Sequence, residues 1–175
     1  MMKIFDVDTT NIKDEYKAVQ LFNEIIKGQI ELGIAIQNIE NHLKAKKPEI
    51  YNGKDFLLKD YMQNIEKIDR EFKIFAELRG RRAQTYYPLS REQSMAELKF
   101  IVSKLLLDNP NDPKKVIDII LKRYHDKSVQ NLKILESLCP NQLFKEFERA
   151  YVNNQEIIRQ HIRQNITTKT SSQPR

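Results

Sequence analysis

Apolar residues in this chain return every third or fourth position over long stretches, and strict alternation is scarce, so the pattern predicts helices throughout. The first runs over 10–46, with Thr10 or Asn11 as N-cap and Lys44, Lys46 and Lys47 at the negative end of the helix dipole. It carries two apolar stripes. Phe22, Ile25, Leu32, Ile36, Ile39 and Leu43 form one, and Ile12, Tyr16, Val19, Ile26, Ile30 and Ile34 form the other. A helix with two such stripes touches neighbours on two sides and sits centrally. Gly28 and Gly33 interrupt it at a cost of about 1 kcal/mol each, which a close helix approach or a bend would explain. A second helix over 54–79 places Leu58, Tyr61, Ile65, Ile68, Phe72 and Phe75 at alternating three- and four-residue steps. That is the seam of an antiparallel hairpin, and Gly80 suits its C-cap.

The second half is cut more finely. Pro48, Pro88, Pro110, Pro113 and Pro140 all fall between periodic stretches, where a missing N–H costs little. Ser90-Arg91-Glu92-Gln93 reads as a capping box for a helix through 107, whose apolar face is Met95, Leu98, Ile101, Val102, Leu105 and Leu106. Asp112-Pro113 is an N-cap followed by proline at the first helical position, opening a helix to 126. Ser128 then caps a short helix to 138. From Asn141 a last helix aligns Leu143, Phe144, Phe147, Tyr151, Ile158 and Ile162. The small, polar tail 167–175, with Pro174, has the composition of a disordered end.

These elements give an all-α fold: a leader (1–9), a long N-terminal antiparallel helical hairpin (10–82), and a smaller C-terminal helical bundle (83–166) packed on it as one compact unit. At 175 residues, 40% hydrophobic and 31% charged, the chain can bury roughly 70% of its unfolded surface without disulfide or metal. The single cysteine, Cys139, excludes an internal disulfide and suits a reducing compartment. With no signal-like or membrane-length apolar run, the expected residence is the cytoplasm, of its own cell or of a recipient. The net charge is +6; residues 1–87 hold 15 basic and 14 acidic groups, so nearly all the excess lies beyond them. This mild bias permits anionic partners without requiring them.

Chemistry-bearing motifs are few. Ile4-Phe5-Asp6-Val7-Asp8-Thr9-Thr10 resembles the D-x-D-x-T nucleophile loop of haloacid-dehalogenase-type phosphatases, over about ten residues. The resemblance implies Asp6 as nucleophile, Asp8 as acid/base, and Asp108 with Asp112 holding magnesium. It also implies a parallel sheet, whereas the run before Asp108 has helical periodicity. The residues themselves read as a leader and a proline turn, and no enzyme is expected. His42, His125 and His161 lie far apart without ligand spacing, and no glycine-rich phosphate loop occurs, so no metal or other cofactor is expected.

Between Glu77 and Glu92 there is no acidic residue, yet Arg79, Arg81, Arg82 and Arg91 fall there with Tyr86 and Tyr87. Arginine at a helix C-terminus answers the dipole, which leaves Tyr86, Tyr87 and Arg91 without a local explanation. Both residue types are enriched where partners dock. The expected function is a non-catalytic protein–protein interaction module, an adaptor or subunit of a larger assembly, motivated by the doubled stripe of the first helix. The alternative is binding of RNA or single-stranded DNA, with rings stacking on bases and guanidinium groups on phosphates, extended by Lys122, Arg123, His125 and Lys127.

Overall fold

The computed structural model describes residues 3–4, 7–8, 11–51, 53–54, 56–78 and 91–166, with the backbone alone for 3, 4, 8, 68, 69, 71–78 and 91–95. The architecture is all-α. Helices α1 (Glu15–Lys46), α2 (Leu58–Leu78), α3 (Arg91–Asp108), α4 (Pro113–Leu138) and α5 (Asn141–Asn165) follow in order, and α1 touches each of the other four. The tail 167–175, and the Arg79, Arg81, Arg82, Tyr86 and Tyr87 sites of the connector, lie outside the described residues.

Both stripes of α1 are largely buried, because α2 covers one side while α3 and α4 pack along the rest. The excess apolar surface expected of α1 is therefore spent inside the molecule. Gly33 explains how α2 comes so close: a Cβ there would stand 2.8 Å from the Tyr61 ring and 3.0 Å from Leu58 Cδ1. Glu40 meets Phe56 further along the same interface, so α1 and α2 run antiparallel as a hairpin. Gly28 has no such role, since a Cβ there would meet nothing nearer than 3.8 Å.

Three expected boundaries move, each for a tertiary reason. Helix α1 begins at Glu15, not 10, and its N-cap is Asp14, whose carboxylate accepts from Lys17 N–H at 3.1 Å. Asp14 has φ 39°, a left-handed conformation that aspartate tolerates. The Lys13 N–H is diverted to Leu138 O at 2.8 Å, which holds the chain off the helical path. Helix α2 begins at Leu58 rather than 54, because the Lys54 and Phe56 amides are bonded to side chains of α5 and α1. The break expected at 126–128 does not exist. Helix α4 is continuous, and Ser128 is buried mid-helix near Tyr151 of α5 instead of standing at a helix start.

Asp112 does cap α4, accepting from Lys115 N–H at 3.1 Å, with Pro113 in the first turn. The leader is more ordered than expected at two points: β1 (Lys3–Ile4) and β2 (Val7–Asp8) pair antiparallel, Lys3 opposite Asp8 and Ile4 opposite Val7. Strand β1 lies on α2 and β2 on α5, and Val7 is buried in the core. Apart from an isolated antiparallel bridge between Tyr51 and Ile166, no other strand pairing occurs among the described residues.

Candidate functional site

Of the residues marked by the sequence, Arg91 opens α3; its five companions in the connector are outside the described residues. The basic extension lies along α4, and its relation to those companions falls outside the described residues. Lys122 pairs with Asp126 at 2.9 Å, His125 faces α5 and places Nδ1 3.1 Å from the Tyr151 hydroxyl, and Arg123 and Lys127 interact with Glu31 of α1. One helix thus sends four cationic or titratable groups in several directions. The phosphatase residues likewise serve other ends: Asp112 is a helix cap, Asp108 ends α3, and Asp8 belongs to the antiparallel pair, while Asp6 is outside the described residues. The parallel sheet implied by that resemblance is not present among the described residues. Nor is any cluster of three His, Cys, Asp or Glu able to hold a metal.

What the fold does assemble is a buried polar fastener at the far end of α5. Glu40, on the inward face of α1, accepts from Phe56 N–H at 2.7 Å through Oε1 and meets His161 Nε2 through Oε2. Asn165, one turn beyond His161, accepts from Lys54 N–H at 2.9 Å and donates to the His161 carbonyl at 2.9 Å. Its amide nitrogen lies 3.0 and 3.4 Å from the two ring nitrogens. A donor in the ring plane would stand well away from one of them, so the amide sits over the imidazole face. Phe56 closes the other edge of the ring at a centroid distance of 5.2 Å. A Cβ on Gly53 would overlap Asn165 Oδ1, so the loop between α1 and α2 passes here because that residue has no side chain. Nearby, the Tyr61 hydroxyl is buried without a hydrogen-bond partner among the described residues, and burial pushes its pKa well up.

This fastener also sets the opposite face of α5. Ile162, Ile166, Arg159 and Arg163 turn away from it toward the start of α4, across a groove of about 380 Å³. Ile117 and Leu121 complete an apolar floor, and Lys114 and Asp118 stand on the α4 rim. Arg163 is held by Glu156 at 2.7 Å. Lys114 and Arg159 have no carboxylate partner among the described residues.

A third feature is the outer face of α3. Leu98, Val102 and Leu106 turn into the core, while Phe100 is 70% exposed and Leu107 74% exposed. Seven residues apart, they share one line along the helix, two turns from each other. The sequence pattern singles out neither, because the inward stripe of α3 accounts for most of its apolar residues. Glu40, His161 and Asn165 were missed as well. The available signal was polar residues in inward positions: Glu40 between Ile36, Ile39 and Leu43, and Asn154, Gln155 and Asn165 along α5, all buried.

Cys139 is half-buried and burial pushes its thiol up to about 12, which makes it a poor nucleophile. Among the described residues no helix is long and apolar enough to cross a membrane. No protein-family model, no curated protein and no solved structure matches this chain.

Proposed function

We propose that this chain is a non-catalytic protein–protein interaction module, an adaptor or subunit whose docking face is the outside of α3. The observation that carries this reading is the pairing of Phe100 and Leu107 on one exposed line, at 70% and 74% exposure, while Leu98, Val102 and Leu106 of that helix are spent on the core. Large apolar side chains aligned on an otherwise charged surface favour partner contact over solvent. Glu97, Lys104 and Asp108 flank the pair and supply a polar rim.

The partner is an amphipathic helix of a different protein rather than a second copy. Antiparallel self-pairing that sets Phe100 over Leu107 brings the two Lys104 side chains together on one side of the seam. Like charges so placed disfavour the homodimer. A foreign helix with apolar anchors at matching spacing and acidic residues opposite Lys104 meets no such conflict. Covering the exposed parts of Phe100 and Leu107 is worth about 3 kcal/mol together, or roughly 100-fold in affinity.

The test is affinity capture from the native cell after nuclease treatment, comparing wild type with a Phe100→Glu/Leu107→Glu variant. Both positions are solvent-facing, and far-UV circular dichroism checks that the variant keeps its helices. The reading predicts a protein partner retained by wild type and lost from the variant. Equal capture by both proteins would overturn it, and loss of the bound material on nuclease treatment would favour the nucleic-acid alternative.

A further inference from the structure

We propose that the groove between the start of α4 and the end of α5 binds an amphipathic monoanion, specifically a medium-chain acyl carboxylate. The floor, Ile117, Leu121, Ile162 and Ile166, is apolar, and the rim sets three cations against Asp118. A ligand for such a site brings an apolar body and a negative head. The open groove, about 380 Å³, has room for one chain of medium length. A partner helix would bring several anchor side chains over two turns, more than this space admits.

The head group has a defined place. Arg159 is exposed and has no carboxylate partner among the described residues, and its planar fork matches a carboxylate through two parallel hydrogen bonds. Arg163 is engaged with Glu156, and Lys114 adds a point charge from α4. The floor is formed before any ligand arrives. His161 and Asn165 fasten the reverse face of α5 to Glu40 and Lys54, and Tyr51 bridges Ile166 at the end of the groove. A preformed site avoids the cost of ordering the walls on binding. This groove is distinct from the exposed face of α3, so the two readings stand or fall separately.

The experiment is a methyl and amide NMR titration of the full chain with octanoate and decanoate, each below its micellar concentration, and with decanol as the uncharged probe. Decanoate is expected to give saturable shifts at Ile117, Leu121 and Ile162. Its affinity should exceed that of octanoate by about 15-fold, since each buried methylene contributes about fourfold. Arg159→Gln, at a solvent-facing position, should weaken decanoate about tenfold or more while leaving decanol unaffected. The assignment is overturned if decanoate does not saturate, if its shifts map outside the groove, or if Arg159→Gln binds it as wild type does. Saturation by an acidic leucine-bearing peptide, with none by decanoate, would equally overturn it.

Discussion

Replacing Glu40 by alanine removes a carboxylate on which α1, α5 and the entry to α2 converge. Glu40 is 1% exposed and Phe56 is buried with it, so the Phe56 amide has no ready turn to water when the carboxylate is gone. The Phe56 N–H, now 2.7 Å from Oε1, becomes a dry donor, and His161 Nε2 loses its partner. Hydrogen bonds to a charged acceptor contribute about 1.5–3 kcal/mol each, and breaking a buried pair from one side costs about 3–5 kcal/mol. We expect Glu40→Ala to fall in that range. At about 2–4 °C per kcal/mol for a chain of this size, Tm should drop by roughly 10–15 °C. Glu40→Gln keeps an acceptor for Phe56 N–H and offers the imidazole a donor, so it should lose about 1–2 kcal/mol. Urea unfolding gives the stabilities, and amide hydrogen exchange at Phe56 and Lys54 gives the local effect. If Glu40→Ala lay within about 1 kcal/mol of wild type, or if the Phe56 amide kept its protection, the fastener would not be what holds this end of α5.

Three further outcomes follow from packing and charge. Gly33→Ala should destabilise by about 1–2 kcal/mol despite the gain in helix propensity, because its Cβ would sit 2.8 Å from the buried Tyr61 ring; an increase in the urea midpoint would contradict that contact. Burial raises the pKa of Glu31 against the lowering pull of Lys27 and Lys127, so the folded state holds this proton more tightly than the unfolded one, and ionisation costs stability. Glu31→Gln should therefore stabilise at neutral pH, with the gain fading as the pH falls through the raised pKa toward the ordinary value of 4.5; a pH-independent difference in urea midpoints would refute the cause. Cys139, with its thiol pushed up to about 12, should react with iodoacetamide far more slowly in the folded protein than in urea, and equal rates would show that it is accessible and unperturbed.

The helices were legible where local signals and tertiary packing agree. Asp112-Pro113 opens α4, Lys44 and Lys46 close α1, and Asn141 begins α5 as the periodicity requires. The misreadings share one physical cause, side chains and backbone groups that have a distant partner. Ser128 reads as a cap because serine is good at capping, but no glycine or proline stands nearby to stop the helix, and the residue is buried beside Tyr151 of α5. The start of α1 at Glu15 is not legible locally, because nothing around Lys13 reveals that its N–H bonds Leu138 O. The candidate sites were less legible still. His161 seemed isolated in sequence, yet the fold brings it to a glutamate 121 residues away. Lys114 and Arg159 meet across the groove through the antiparallel return of α5 on α4, which no spacing along either helix discloses. Phe100 and Leu107 were visible as apolar residues, but their outward direction emerges only once Leu98, Val102 and Leu106 define the inner face.

The central claim, that the outside of α3 receives a helix of another protein, is tested most directly by site-specific photo-crosslinking in the native cell. A photoreactive phenylalanine analogue at Leu107 should give one discrete adduct with a protein other than this chain, and the same analogue at exposed Gln160 on α5 should give none. No adduct at Leu107, a self-adduct, or the same adduct from both positions would contradict it.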